Sequence, residues 1–413
     1  MAAIYSDYSR EDVRSIIRSF QPDIIGMGLT INGRMSSVYE FALDIKQNFD
    51  GLLVAGGPHS STLPEEPLSF GFDMVIRGEG EKTFEELIIR IKENDGIEDI
   101  PGISYLNRSG EVIHNSPNQP IENLDEIPFP ARDLLNFNCY FKPGEKYGKN
   151  LGMISSSRGC PSNCTFCSNP VFGRRVRARS AENISAEMVW LYEKYGVKSF
   201  QFVDDSFTVK KKRIFELCEL LKKWKVGIKW RCVTRLDYLT KELLTEMKDA
   251  GCYAIELGVE SANPGSLKRM KKNISIDRLM EVLVWTKEVG IFVSLFFMFG
   301  FPWESAEEAR NTNRFMQKIS GMVDRFNPGG VLIPFPGTEI YEEYKDSEGF
   351  ENWWLTGWQP KDFSPLHKLQ PWYFFNYSDE IKKVIKEGLD FIERHNSKRP
   401  LGHILKKVGI SQI

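Results

Sequence analysis

The densest chemistry in the chain is Cys160-Pro-Ser-Asn-Cys164-Thr-Phe-Cys167, which gathers three of its seven cysteines at C-x3-C-x2-C spacing. Thiolates are soft ligands that suit iron–sulfur clusters and zinc. Four cysteines ordinarily close a four-iron cluster. Three leave one iron open, and an open iron binds a reactant. A structural zinc site would want a fourth Cys or His at finger-like spacing, and none follows. Further along stand Asp204-Asp205, Arg235 and Glu260-Ser261. Adjacent carboxylates suit acid–base work or a divalent cation, or Asp205 and Ser206 simply start a helix. A guanidinium suits bidentate capture of a carboxylate. Upstream, Gly56-Gly57-Pro58-His59 and Gly78-Glu79-Gly80 are phrases whose glycines let a ligand approach the backbone. Cys218 lies in an apolar helical pattern, Cys232 and Cys252 in or beside strands, and Cys139 alone; all four read as structural thiols.

These residues need elements to hold them. Residues 1–95 alternate strand and helix patterns, which predicts a parallel α/β layer with strands at 2–5, 24–29, 52–55 and 74–76. Each glycine phrase falls just past a strand end, the edge where open α/β sheets bind ligands. Residues 96–150 read as a linker containing a hairpin, 103–106 with 111–114, and an extended stretch around Pro128 and Pro130. From 151 to 340 strands are predicted at 153–156, 200–203, 229–233, 253–259, 291–299 and 330–333, with helices between them. Six such units predict an open, six-stranded relative of the (β/α)8 barrel, with function at the C-terminal ends of its strands. Asp204-Asp205, Arg235, Glu260-Ser261 and Gly300-Phe301-Pro302 all fall there. Residues 341–413 hold Trp353, Trp354, Trp358, Trp372, Tyr373, Phe374, Phe375 and Tyr377 and a helix predicted at 379–395, packed on the barrel or covering its mouth.

At 413 residues the chain can bury cores for two domains or more. Its 54 basic and 56 acidic residues nearly cancel, which gives no support for nucleic-acid binding. The basic runs Lys210-Lys211-Lys212-Arg213 and Lys268-Arg269-Met270-Lys271-Lys272 read as solvated helix faces. There is no basic-then-apolar leader, and the longest apolar run, 291–301, is too short to span a bilayer. Sparse cysteine argues against a disulfide scaffold. The expectation is a cytoplasmic chain with no membrane span, and a cluster open to a reactant implies an anaerobe.

The cysteine motif resembles the signature of the radical S-adenosylmethionine (radical SAM) superfamily. GGPHSSTLPEE followed by VIRGEGEKTFEEL resembles the cobalamin-binding domain fused ahead of many such enzymes, and Leu124-Asp125-Glu126-Ile127-Pro128-Phe129-Pro130-Ala131-Arg132 resembles their interdomain linker. The likeness covers roughly residues 20–340. It implies a shortened Rossmann-like cobalamin-binding domain, a partial (β/α)6 TIM-like radical SAM barrel and a small C-terminal region. It implies a [4Fe-4S] cluster on Cys160, Cys164 and Cys167, with SAM and cobalamin as further cofactors. By the same resemblance Phe166 lies near adenine, Asp204 or Asp205 contacts SAM's amino group, Arg235 its carboxylate, and Glu260 and Ser261 the ribose or methionine side. Gly56, Gly57, His59, Gly78, Glu79 and Gly80 shape the corrinoid edge. The D-x-H-x-x-G motif that supplies a cobalt ligand elsewhere is absent from the sequence. The dimethylbenzimidazole tail is therefore expected off cobalt, with His59 as a tail contact.

The activity implied is that of a cobalamin-dependent radical SAM C-methyltransferase. SAM cleavage yields a 5′-deoxyadenosyl radical, which takes hydrogen from an unactivated carbon, and methylcobalamin supplies the methyl group. The substrate is a protein residue, for example the Cα of a glutamine in methyl-coenzyme M reductase, or a small natural product. A flavodoxin- or ferredoxin-type donor supplies electrons. The same cofactors could instead drive ring closure, rearrangement or oxidation, and a non-catalytic metal or corrinoid carrier is the reading of another class. Methylthiotransferases carry three further cysteines in their N-terminal domain, where this chain has only Cys139.

Overall fold

A computed structural model describes residues 9–30, 35–134, 151–169, 171–327, 330–355 and 374–399. The strand expected at 2–5, Cys139, Trp358, Trp372 and Tyr373 lie outside the described residues. The chain forms two compact units. One comprises Met1–Glu122, Cys167–Gly173 and Phe335–Asp362; the other comprises Asn123–Phe166, Arg174–Pro334 and Phe363–Ile413.

The first unit is built on a five-stranded sheet in the order β1-β2-β3-β4-β5. Strands β1 (Ile24–Gly28), β2 (Leu52–Gly56) and β3 (Met74–Ile76) are parallel. Strands β4 (Ile103–Leu106) and β5 (Val112–His114) add to β3 antiparallel. The hairpin assigned to the linker is thus part of this sheet. A lone hairpin is marginal in water, and here Ile103 enters one core with Val54, Ile76, Leu87 and Ile100. Helix α1 (Arg10–Phe20) opens with a capping box from Ser9 and Asp12. Helix α2 (Met35–Lys46) buries Met35, Tyr39, Ala42 and Ile45, one face of a 3.6-residue period. Short helices α3 (Pro58–Thr62) and α4 (Glu65–Ser69) follow β2, and α5 (Gly80–Glu93) follows β3.

The second unit is built on a six-stranded sheet, ordered β13-β12-β11-β10-β9-β6 with every pair parallel. Its strands are β6 (Leu151–Ile154), β9 (Ser199–Phe202), β10 (Lys229–Thr234), β11 (Cys252–Glu260), β12 (Phe292–Phe297) and β13 (Arg325–Asn327). Between them run α6 (Ala181–Tyr195), α7 (Lys211–Trp224), α8 (Lys241–Asp249), α9 (Pro264–Arg269), α10 (Ile276–Val289) and α11 (Ala306–Ile319). Ser180, Thr240, Ser275 and Ser305 cap helices through side-chain bonds, so these starts were written locally. One sheet face is apolar: Phe202 stacks on Phe207 and meets Trp230, whose Nε1 donates to the Ala250 carbonyl beside α8. The other face is polar, where Arg231 bonds both Gln201 and Glu256 across three strands.

Two expectations are corrected. The sixth strand is Arg325–Asn327 rather than 330–333, and Val331 makes only a single bridge to Phe299. The Asp324 carboxylate accepts the Val293 N–H at 2.9 Å and Phe326 is fully buried, so this shorter segment takes the sheet edge. The C-terminal region is also divided. Helix α12 (Glu339–Tyr344) with Trp353 and Trp354 belongs to the first unit, and α13 (Asp379–Ser397) to the second. There α13 packs on α11, with Asn313 Nδ2 donating to the Val384 carbonyl at 2.8 Å. Among the described residues no helix is long and apolar enough to cross a membrane.

Candidate active site

Past β6 the chain turns through Ser155 and Ser156 into β7 (Ser157–Arg158), which pairs antiparallel with β8 (Arg177–Ala178). The cysteine loop therefore leaves and returns through a pinched base. Cys160 and Cys164 are partly exposed, Cys167 is exposed, and none of the three is in a disulfide. The Thr165 N–H donates to the Met270 carbonyl at 3.1 Å and anchors the middle of the loop. Burial pushes the Cys164 thiol up, while Lys272 and Arg235 pull against that shift. Cations beside a thiolate favour its ligating form. Among the described residues no three His, Cys, Asp or Glu side chains surround a single-ion position. A four-iron cluster spreads its thiolates over separate irons, and three thiols on one anchored loop fit it. The other described cysteines are core thiols: burial raises Cys218 to about 12 and Cys232 well above the usual thiol range.

Around Cys164 stand the ends of β10 and β11. Arg235 follows β10 and pairs with Asp237, its Nη2 at 2.5 Å from the carboxylate. Glu260 ends β11 in the left-handed region, at φ 68°, a strained backbone of the kind found at ligand sites. Its carboxylate accepts Lys272 Nζ at 2.7 Å, both side chains being 8% exposed. A Cβ on Gly258 would lie 2.5 Å from Glu260 Oε1 and 2.6 Å from Lys272 Nζ, so the pair needs glycine beneath it. Phe166 sits 6.0 Å from Lys272 Nζ by ring centroid and 5.8 Å from Phe301. Beyond β12, Gly300 donates its N–H to Glu304 Oε2 at 2.7 Å. Burial pushes the Glu304 carboxyl up to about 8. Cys164, Phe166, Arg235 and Glu260 are thus brought into one neighbourhood, with Lys272, which the sequence reading had placed on a solvated helix face.

Asp204 and Ser261 are turned elsewhere. Asp204 is 4% exposed, accepts the Ser156 N–H at 3.1 Å and Oγ at 2.9 Å, and also bonds Ser157 Oγ. Of the pair proposed for SAM's amino group, only Asp205 is exposed. The fully buried Ser261 hydroxyl accepts from the Asn263 N–H at 3.1 Å and shapes the turn into α9. These two side chains are spent on backbone, because each lies where a strand gives way to a loop with unpaired amides.

In the first unit the two glycine phrases meet through Ser61. Its hydroxyl donates to the Gly57 carbonyl at 2.9 Å and accepts the Gly78 N–H at 2.9 Å. Gly57 has φ 94°, and a Cβ there would lie 2.9 Å from the Leu29 carbonyl oxygen. Gly78 has φ 73°, with Asn118 Oδ1 2.5 Å from its would-be Cβ. Glu79 is buried, accepting the Ile121 N–H at 3.3 Å, and Gly80 opens α5. Among the described residues nothing lies within 4 Å of a Cβ built on Gly26, within β1, or Gly28, at its end, which leaves room there for a ligand. His59 differs from expectation: its ring is fully buried, with Nε2 2.6 Å from Glu66 Oε1. Glu66 also accepts Tyr39 Oη at 2.7 Å and Trp354 Nε1 at 2.8 Å. Burial alone would raise the Glu66 carboxyl; the bonds from His59, Tyr39 and Trp354 outweigh it and hold the carboxyl below its usual range. The ring thus ties α3 to α4 through Glu66. Ser61, Glu66, Trp354 and Lys272 were missed in the sequence; only Ser61, four residues past Gly57, carried a local signal.

A thiol loop at the end of a parallel sheet, with cations beside it, and a glycine-lined α/β edge in the same chain define a class. The radical SAM superfamily profile matches residues 154–316 and the B12-binding domain profile residues 3–88. The chain belongs to the cobalamin-dependent radical SAM family, and its cofactors are a [4Fe-4S] cluster, SAM and cobalamin. An uncharacterized methyltransferase of Pyrococcus horikoshii is 34% identical over 341 residues, covering 81% of this chain and 72% of that protein. The anaerobic magnesium-protoporphyrin IX monomethyl ester cyclase of Rubrivivax gelatinosus is 28% identical over 356 residues, covering 83% and 62%. The fold is similar to that of the radical SAM methyltransferase TsrM of Kitasatospora setae, solved with tryptophan and a SAM analogue (TM-score 0.69, 19% identity, 82% and 68% covered).

Proposed function

We propose that the chain transfers a methyl group to an unactivated carbon of its substrate, a peptide or protein side chain or backbone carbon, or a small natural product. Its cofactors supply a substrate-abstracting radical and a transferable methyl group; the protein positions the reacting carbon and excludes water. In this reading Cys160, Cys164 and Cys167 hold the cluster. Arg235 and Lys272 receive SAM's carboxylate, Asp205 its amino group, Glu260 the ribose side, and Phe166 the adenine face. Gly56, Gly57, Gly78 and Gly80 line the corrinoid edge. The observation that carries the reading is the joint presence of this cationic thiol loop and the Ser61-tied glycine edge in a chain 34% identical to a methyltransferase. The cyclase relative supports a second reading, ring closure without methyl transfer.

The test is the fate of SAM under a low-potential reductant with cobalamin present. Methylation requires S-adenosylhomocysteine and 5′-deoxyadenosine in equal amounts and a product heavier by one methylene unit. Deoxyadenosine with no S-adenosylhomocysteine would favour the cyclase-type reading. If bound cobalamin has its dimethylbenzimidazole displaced, as the absent D-x-H-x-x-G motif leads one to expect, its lower face would be open, because His59 is buried on Glu66 and would not ligate it. Paramagnetic resonance of the cob(II)alamin form should show no nitrogen splitting; splitting that follows isotopic label in dimethylbenzimidazole would refute an open face.

A further inference from the structure

Three backbone carbonyls line the approach to the cysteine loop, Met153 O on the edge strand β6 and Ser155 O and Ser156 O just past its end. Each accepts a guanidinium from a different element. Arg132 Nη2 donates to Met153 O at 2.8 Å, Arg179 Nη1 to Ser155 O at 3.1 Å, and Arg213 Nη1 to Ser156 O at 2.7 Å. Arg213 Nη2 also donates to Phe207 O at 2.9 Å. Two carboxylates close the network. Glu187, 1% exposed, bonds both Arg132 and Arg179. Asp204 faces Arg213 and takes the Ser156 amide and the hydroxyls of Ser156 and Ser157. The Arg179 N–H adds a bond to Ser156 O at 3.0 Å.

A buried ion network is a poor source of stability, because desolvation offsets pairing. Here desolvation dominates: burial pushes the Asp204 carboxyl up and the Arg213 guanidinium down. What the network supplies is direction. Every polar atom of residues 155–157 that it touches is aimed by a fork or a carboxylate, and Cys160 follows Ser157 by three residues.

We propose that Arg213 and Asp204, with Arg132, Arg179 and Glu187, are positioning residues that pre-set the segment 153–157 and so present Cys160 and Cys164 for cluster binding. They act through the backbone and touch neither cluster nor SAM. The proposal rests on the assignment of the cluster to the three cysteines. Partners behind metal ligands typically change metal affinity or activity by about 10- to 100-fold when removed.

Anaerobic reconstitution with limiting iron and sulfide tests this. Arg213→Gln and Asp204→Asn are expected to lower cluster occupancy about tenfold. In what cluster remains, the reduced-state paramagnetic resonance signal should broaden and its shift on SAM addition should weaken. Arg213→Lys, which keeps the charge and loses the fork, should regain occupancy but not the narrow signal. Ser157→Ala removes one hydroxyl and leaves the backbone intact; it decides the matter if the buried variants fail to fold by circular dichroism, and should broaden the signal in the same direction. Unchanged occupancy and an unchanged SAM-induced shift in the folded variants overturn the proposal. The variant with Cys160, Cys164 and Cys167 all changed to Ala is the separate control: a cluster surviving there overturns the cysteine assignment itself.

Discussion

Arg235 and Lys272 carry the positive charge next to Cys164, and each already holds a carboxylate, Asp237 and Glu260 respectively. If they receive SAM's carboxylate, Arg235→Ala should weaken SAM binding by about 1.5–3 kcal/mol, the range for a charged hydrogen bond, with iron content intact. Unchanged affinity in titration calorimetry would confine Arg235 to Asp237. Glu304 makes a prediction of opposite kind. Its carboxyl is raised to about 8, so the folded chain keeps a proton that the unfolded chain has released. Stability therefore falls as pH rises from the ordinary carboxylate range through about 8. Glu304→Gln keeps an acceptor for the Gly300 N–H and removes the titration. Its Tm gain over the parent should be larger at about pH 8 than at about pH 5; an equal gain at both would show that Glu304 does not titrate in that window. At this scale Arg235 and Glu260 were legible as polar residues past strand ends. Lys272 was not, because whether the last lysine of a basic run meets water or a carboxylate depends on the fold of β11.

The glycine phrases behave as elements. Gly57→Ala forces a side chain into a positive-φ, extended conformation that only glycine adopts readily, at roughly 1–3 kcal/mol, and sets its Cβ against the Leu29 carbonyl oxygen. It should reduce cobalamin binding and lower the Tm of the first unit. Gly26→Ala, with none of the described residues within 4 Å of its Cβ, tests close approach. If cobalamin binds that edge, this variant should lose affinity at unchanged Tm; retained affinity would move the corrinoid away from β1. The helices of the barrel unit start on local signals, since Ser180, Thr240, Ser275 and Ser305 each cap one through a side-chain bond. The sixth strand was misplaced because the apolar run at 331–333 reads more strongly as a strand than Arg-Phe-Asn does. The sheet edge went to the segment beginning after Asp324.

At the scale of the molecule, chain order and spatial order part company. Trp354 is 288 residues from Glu66, yet its indole N–H completes the cluster with His59 and Tyr39 inside the first unit. Trp354→Phe keeps the ring and deletes that donor. It should destabilise the first unit by about 1.5–3 kcal/mol, the range for a hydrogen bond to a charged group, while iron loading stays at the parental level. A thermal melt followed by cobalamin absorbance reads the first effect and iron analysis the second. An unchanged melt would show that Glu66 is satisfied by His59 and Tyr39 alone.

The sequence alone determined the α/β architecture and, through its resemblance to a known family, the cofactors, because the motifs that carry both are local. The C-x3-C-x2-C spacing, the glycines past strand ends and the alternation of strand and helix each lie within one short window, and short-range sterics and ligand chemistry dictate them. Only the tertiary structure decided what the charged side chains do. Asp204 and Arg213 read as a ligand contact and a solvated run, yet burial joins them under the cysteine loop. His59 read as an edge residue, yet it faces Glu66. A charge's role follows from whether water or another charge meets it, and that is set by elements distant in sequence.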